Sequence, residues 1–257
     1  MGKLKSVDEL FGFSVEAVDG ALGHVVDVLF DDADWAIRYL VVDTRDRMPG
    51  RRVLISTAAV RRISLVRKTL QVDFVRQDIQ SSPDVAISKP VSGRQEVALV
   101  QYYRYPYYWA GPPQWGHISN LTAGGRVVSK DEGKEDKALR ITRERVRRDP
   151  YLRFCSEVSG FDIYAAQDMV GHVDDFIFDV KGWRICMIVV NTRNWWPGKH
   201  MLVSPLLVSR VSWKANMIEV DVTRDLVERS PEYNVLSPPS VLNHELYRQQ
   251  GNCRSRR

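Results

Sequence analysis

Short stretches of this chain alternate apolar and polar residues, and the same alternation returns in the second half. The odd-numbered positions of residues 13–17 are apolar, and residues 161–165 repeat the pattern. A period of two residues predicts a strand with one buried face. The nearly continuous apolar run at 35–44, with a counterpart at 183–192, predicts a central strand that is buried on both faces.

An alignment of the chain with itself shows a tandem duplication. With an offset of 148 residues, positions 12–83 match positions 160–231 without a gap, and about 27 of the 72 pairs are identical. The most similar stretches are "GHVVDVLFD" at 23–31 and "GHVDDFIFD" at 171–179. Such a match indicates two copies of one structural unit of about 75 residues, separated by a linker.

Each copy is predicted to contain six short strands joined by tight turns. A Pro-Gly pair at 49–50 and again at 197–198 predicts a turn between two strands, because proline fixes φ and glycine accepts the reversed φ. Gly182 stands where the first copy has Asp34, which predicts a positive φ at this position. The predicted fold class is mainly β, with two small, closed or partly open β-barrels and short helices after the barrels.

The repeats and the composition between them divide the chain into four predicted segments. The segment between the repeats begins rich in aromatic residues and proline and ends highly charged. The predicted boundaries are 6–86 for the first barrel, 87–150 for the linker, 151–236 for the second barrel and 237–257 for a short helix with a basic tail.

The residues that the two copies share resemble the PRC-barrel family. The shared pattern runs Gly, Val, Asp, then W-x-I, V-V, T-R and P-G, as in "DGALGHVVDVLFDDADWAIRYLVVDTR…PGRRVLIS". The chain looks most similar to stand-alone bacterial proteins with two such barrels. The family also includes the soluble domain of the photosynthetic reaction-centre H subunit and the C-terminal domain of a ribosome maturation factor. The resemblance implies docking and assembly rather than turnover of a substrate.

The repeated polar residues are predicted to serve structure. His24 and His172 are equivalent, but their spacing to other residues does not define a set of metal ligands. Asp27 and Asp175 are expected to accept backbone N–H groups of a neighbouring turn. The sequence carries no nucleophile motif, phosphate-binding loop or dinucleotide-binding glycine pattern. We therefore expect neither enzymatic activity nor a metal or cofactor.

Partner binding is predicted for residues near the repeated Pro-Gly loops and in the linker. Trp195 and Trp196 replace Arg47 and Met48 of the first copy, so the barrel itself does not require aromatic residues there. Packing against the other barrel or the linker is the alternative, and for the two repeated arginines the alternative is a structural tie. The candidate residues are Arg45, Arg193, Trp195, Trp196, Tyr107, Tyr108 and Trp109.

The linker contains six aromatic residues among positions 102–109. Such rings could stack on nucleobases or contact a protein partner. The prolines within this stretch favour a third interpretation, in which the chain lies extended along a barrel and buries its rings.

Charge and cysteine content favour a cytoplasmic location. The net charge is +5, with basic clusters at 140–148 and 254–257 that could bind phosphate backbones but more often form a solvated surface. The three cysteines are widely scattered, which is typical of a reducing compartment. There is neither a signal-peptide pattern nor an apolar run long enough to span a membrane.

The sequence as a whole predicts a non-enzymatic adaptor or scaffold that docks onto a protein complex through paired barrel surfaces. The complex could be membrane-associated and met from the cytoplasmic side, and a homodimer is a further option. The alternative is an RNA- or ribosome-associated assembly factor that uses residues 140–148 and the tail, although nucleic acid is the less favoured partner. A small-ligand barrel would require an unfilled cavity, which barrels of this size rarely contain.

Overall fold

The computed structural model describes residues 3–45, 51–83, 91–103, 105, 152–192, 199–223 and 233. These residues form a mainly β structure with fourteen strands and three short α-helices in the described ranges. The chain divides into two compact units. The first-repeat unit spans Phe11–Arg153, and the second-repeat unit combines Met1–Leu10 with Phe154–Arg257.

The strands of the first copy confirm the alternation and the turns predicted from the sequence. They are β2 (Ser14–Ala17), β3 (Gly20–Asp31), β4 (Ala36–Asp43), β5 (Arg52–Ser56), β6 (Val60–Ser64) and β7 (Thr69–Val72). The pairing order is β5, β4, β3, β2, β7, β6, and every pair except β2 with β7 is antiparallel. The described strands do not close into a complete ring, so this unit is a partly open barrel.

The second copy repeats this arrangement with the same offset of 148 residues. Its strands are β9 (Asp162–Ala165), β10 (Asp168–Asp179), β11 (Arg184–Asn191), β12 (His200–Val203), β13 (Val208–Ser212) and β14 (Met217–Val220). The pairing order is β12, β11, β10, β9, β14, β13, and β9 with β14 is the parallel pair.

The short strands that precede the two repeats are exchanged. Strand β1 (Leu4–Ser6) pairs with β10, whereas its equivalent β8 (Leu152–Phe154) pairs with β3. The sequence analysis placed residues 6–10 in the first barrel, but the structure places them in the second-repeat unit. In that unit Val7 and Leu10 are fully buried, and Leu4 packs against Ile177 and its neighbours.

Side chains on the inward faces of the strands form the core of each unit. Phe13, Phe30 and Leu40 are fully buried in the first-repeat unit, and Phe176 and Phe178 in the second. The long strands β4 and β11 are buried along nearly their whole length, as their continuous apolar sequence predicts.

The predicted positive φ lies one residue later than expected. Gly182 does not have a positive φ; Trp35 and Trp183 do, with φ of 57° and 50°. Trp35 stacks on Phe30 with ring centroids 5.3 Å apart, and Trp183 stacks on Phe178 at 5.5 Å. A left-handed conformation costs a non-glycine residue about 1–2 kcal/mol, and ring stacking returns an amount of similar size.

Helices α1 (Arg76–Gln80) and α2 (Gly93–Tyr102) follow the first barrel, and α3 (Cys155–Val158) precedes the second. The sequence analysis expected α1 but assigned the α2 region to the linker without a helix. Ser92 begins α2 with a capping box, in which its side chain accepts from the backbone of Gln95 while the Gln95 side chain accepts from the Ser92 N–H. The short helix predicted within 237–257 lies outside the described residues.

Candidate functional site

The repeated threonines Thr44 and Thr192 connect the two ends of the Pro-Gly loop. Thr44 donates its hydroxyl to the carbonyl oxygen of Arg51 at 2.6 Å, and Thr192 donates to Lys199 at 3.0 Å. In both copies the backbone N–H of the threonine donates to the same carbonyl. Both threonines are fully buried, so this part of the repeated phrase serves construction.

Arg45 is the one partner-binding candidate within the described ranges. Its guanidinium binds the buried carboxylate of Asp43, with Nη2 to Oδ2 at 2.5 Å, and this contact lowers the pKa of Asp43 to about 2. The Arg45 side chain remains 63% exposed. Its geometry is therefore that of a tie to a carboxylate, and its partner-binding role stays a prediction. The other candidates, Arg193, Trp195, Trp196, Tyr107, Tyr108 and Trp109, lie outside the described residues.

The first rings of the aromatic linker pack on the barrel of their own unit. Tyr103 lies 4.7 Å from Phe74 between ring centroids, and Tyr105 lies 6.0 Å from Phe74. Burial raises the pKa of Tyr103 to about 12 and raises that of Tyr105 further. These two rings are half-buried against the barrel, as the packed interpretation expects, but Tyr102 is exposed and the chain up to Tyr102 is helical rather than extended.

Both repeated aspartates accept backbone N–H groups, and for Asp175 one of these comes from a neighbouring turn, as predicted. Asp27 accepts from Val28, and Asp175 accepts from Phe176 at 2.6 Å and from Asp8 in the turn after β1 at 3.3 Å. Asp175 also accepts the hydroxyl of Ser6. Burial and the nearby carboxylate of Asp8 raise the pKa of Asp175 to about 6, with desolvation as the main cause.

The repeated histidines stand at equivalent register positions. His24 lies opposite Asp43 on β4, and His172 lies opposite Asn191 on β11. Within the described ranges, His, Cys, Asp and Glu side chains form no group of three that could hold a metal ion.

A basic surface that the sequence analysis missed lies on the first-repeat unit. We call the β6–β7 hairpin, Val60–Val72, the basic hairpin because it carries Arg61, Arg62, Arg67 and Lys68 and no acidic residue. Arg62, Arg67, Ser64, Thr69 and Gln71 line a shallow cleft of about 210 Å³ on it. A comparison of the two repeats in the sequence could have revealed this difference in charge. The equivalent hairpin of the second copy, Val208–Val220, has only two basic residues, Arg210 and Lys214, and one acidic residue, Glu219.

Two of the three cysteines lie in the described ranges. Cys155 in α3 and Cys186 on β11 are both buried. Cys253 lies outside the described residues, so the expectation of a reducing compartment stays a prediction.

The two similar, partly open β-barrel units define a tandem β-barrel protein. The PRC-barrel domain model matches the chain twice, at residues 3–79 and 152–227. The chain therefore belongs to the PRC-barrel domain family, whose domains are generally non-catalytic modules for protein interaction or scaffolding. A comparison with curated proteins found no match. The helices of the described ranges include none long and apolar enough to cross a membrane.

Proposed function

We propose that this protein is a non-enzymatic adaptor that docks onto a protein complex through surfaces of both barrels. The observation that carries the proposal is the tandem match to a family of interaction modules. Two weak binding surfaces joined in one chain act with a high effective concentration, so duplication strengthens binding to a complex.

The contacts of the repeated residues support the proposal. Thr44 and Thr192 hold their loops, and Asp27 and Asp175 hold strand and turn amides. These residues thus contribute to the shared fold. Specific binding is then expected at positions where the copies differ, such as Trp195 and Trp196 or the basic hairpin.

The test is affinity capture from the lysate of the native host, followed by reconstitution with the purified candidate. Wild type is compared with W195A/W196A and with R47A/M48A, the matched positions of the first copy, at low and high salt. Recovery of a defined protein complex that survives high salt, binds directly when purified and is lost only with W195A/W196A supports the adaptor.

Two results contradict the proposal. Recovery of RNA or ribosomal proteins that high salt removes indicates an assembly factor, since phosphate contacts weaken steeply with salt. Recovery of the protein's own second copy alone, together with a dimeric mass in solution, indicates a structural homodimer.

We also propose a cytoplasmic location, which the three widely scattered cysteines, typical of a reducing compartment, support. Thiol labelling of the protein in intact cells decides the question. A quantitatively oxidised Cys186 would overturn the cytoplasmic location.

A further inference from the structure

The basic hairpin differs from its duplicate in how its central arginine is paired. Arg210 and Glu219 are opposite in the register of β13 and β14, and their side chains form an ion pair at 3.5 Å. Arg62 and Gln71 occupy the same positions on β6 and β7. Gln71 contributes no charge there, and its amide nitrogen donates to Glu16 at 3.2 Å.

The residues that line the cleft therefore include no carboxylate, and the nearby carboxylate of Glu16 is bound to Gln71. Within the described ranges, neither Arg62 nor Arg67 forms an ion pair, whereas Arg61 pairs with Asp73 at 2.5 Å. Arg67 gives the first copy a positive charge that the second copy lacks, because the equivalent residue there is Ala215. Lys68 adds a third exposed cation where the second copy has Asn216.

The hairpin also provides an open strand edge. Among the described strands β6 pairs only with β7, so its other edge can accept an added strand. Charged residues often protect such an edge from aggregation. In the second copy, Arg210 on the equivalent edge strand β13 is neutralised by Glu219. An edge strand of this fold therefore does not need an unpaired arginine for protection, and the unpaired arginines of the basic hairpin require another explanation.

The chemistry of the cleft favours an extended acidic polypeptide. A single exposed ion pair is weak, so a small anion would be held poorly, but an extended segment reaches several cations at once. Its backbone can pair with β6, and alternate side chains then face the same way as Arg62. Val66 at the turn is 97% exposed and offers an apolar contact beside Arg67. The hairpin carries no aromatic ring on which a nucleobase could stack.

We propose that the basic hairpin binds an extended acidic segment of a protein partner alongside β6. This inference rests on the proposed adaptor function only in assigning the segment to a protein partner. It names the surface of the first-repeat unit and the charge of the segment that this surface recognises.

The first experiment measures binding of a fluorescent peptide of about ten residues that alternates Glu and Thr, by anisotropy at low and moderate salt. The control peptide has Gln in place of Glu. We expect wild type to bind the Glu peptide in a salt-sensitive manner and R62Q/R67A to bind it about tenfold more weakly, as the loss of two exposed charge pairs implies. R210Q, the matched change in the second copy, should bind like wild type.

A second set of variants transfers the pairing of one hairpin to the other. Q71E/E16Q gives Arg62 the carboxylate that Arg210 has and should weaken peptide binding about as much as R62Q does. E219Q/A215R gives the second hairpin two unpaired arginines and should add a second binding site. All these side chains are exposed or half-buried, and unchanged thermal unfolding confirms that the variants are folded.

The proposal is overturned if the Gln peptide binds equally well or if R62Q/R67A and Q71E/E16Q bind like wild type. Tighter hairpin-dependent binding of a uridine oligonucleotide or of phosphatidylglycerol vesicles would also overturn it. Its failure is distinguishable from failure of the adaptor function. A captured complex that R62Q/R67A leaves intact refutes only this site, and peptide binding without a captured complex refutes only the adaptor.

Discussion

The hydroxyl of Ser6 donates a hydrogen bond to the carboxylate of Asp175, although the two residues are 169 positions apart in the chain. This contact fastens β1 to the second-repeat unit, where β1 pairs with the end of β10. The exchanged strand and a buried carboxylate with a raised pKa thus meet at one place.

The raised pKa of Asp175 predicts a specific dependence of stability on pH. Its pKa is about 6 in the folded protein, above the usual 3.8, so the folded state binds the proton more tightly than the unfolded state does. As pH falls from 7 to 4, this residue therefore increases the free energy of unfolding, by up to about 3 kcal/mol. D175N removes this contribution.

Urea unfolding at pH 4.5, 6 and 7.5 measures the effect. We expect D175N to be more destabilising, relative to wild type, at pH 4.5 than at pH 7.5. The exposed D168N serves as the control. An equal difference between wild type and D175N at all three pH values would contradict the assigned titration.

Because β1 and β8 are exchanged, a mutation in either strand is expected to destabilise the other repeat of the sequence. Leu4 packs in the second-repeat unit, and its equivalent Leu152, fully buried, lies on the strand that pairs with β3. Truncation of a buried leucine costs about 2–5 kcal/mol, less where the site is partly exposed. Hydrogen exchange should show faster exchange of second-repeat amides in L4A and of first-repeat amides in L152A. Loss of protection in each mutation's own repeat would disprove the exchange.

Gly23 and Gly171 are predicted to tolerate no side chain. A Cβ at Gly23 would lie 2.0 Å from the carbonyl oxygen of Asp43, and a Cβ at Gly171 would lie 2.4 Å from that of Asn191. Each change to alanine forces the β3–β4 or β10–β11 pair apart, at a cost of about 2–4 kcal/mol. Thermal unfolding checks this cost. G12A is the graded comparison, since its Cβ meets no atom within 4 Å and only its φ of 78° is strained. G12A as damaging as G23A would refute the steric argument.

The threonines of the repeated loop predict equal effects in both copies. T44V and T192V keep the side-chain shape but remove the hydroxyl that binds the carbonyl of Arg51 or Lys199. Each should lower the free energy of unfolding by about 1 kcal/mol, the usual worth of one buried hydrogen bond. Denaturant titration tests this, with T69V, at a half-buried position on β7, as the reference for a hydroxyl outside the core. Stability unchanged by T44V would show that the backbone N–H of residue 44 suffices.

The local and repeated features of the fold were predictable from the sequence, because alternation in residues 13–17 and the Pro-Gly signals act over a few residues. The strand exchange was not, since "LKS" and "LRF" carry no information about which copy they pair with. Helix α2 had a signal, Ser92 followed three residues later by Gln95, that the sequence analysis did not use. The position of the positive φ depended on the stacking of Trp35 on Phe30, which is a tertiary contact.

The candidate site was harder to predict than the fold. The sequence does not show whether a carboxylate neutralises a basic residue such as Arg62. The register that pairs Arg62 with Gln71 and Arg210 with Glu219 was needed to distinguish the two hairpins. Trp195 and Trp196 lie outside the described residues, and their role in partner binding stays a prediction.

The exchange of β1 and β8 has a consequence for synthesis on the ribosome. Strand β1 leaves the ribosome before either repeat, but its partner residues Ile177–Asp179 are added more than 170 residues later. At about 5–20 residues per second, the N-terminal segment waits roughly 10–35 seconds for its place in the sheet. The first repeat likewise lacks β8 until residue 154 has been made. The first barrel of this duplicated chain is therefore unfinished when its own repeat has been translated, whereas the second is completed by a strand that was made before either repeat.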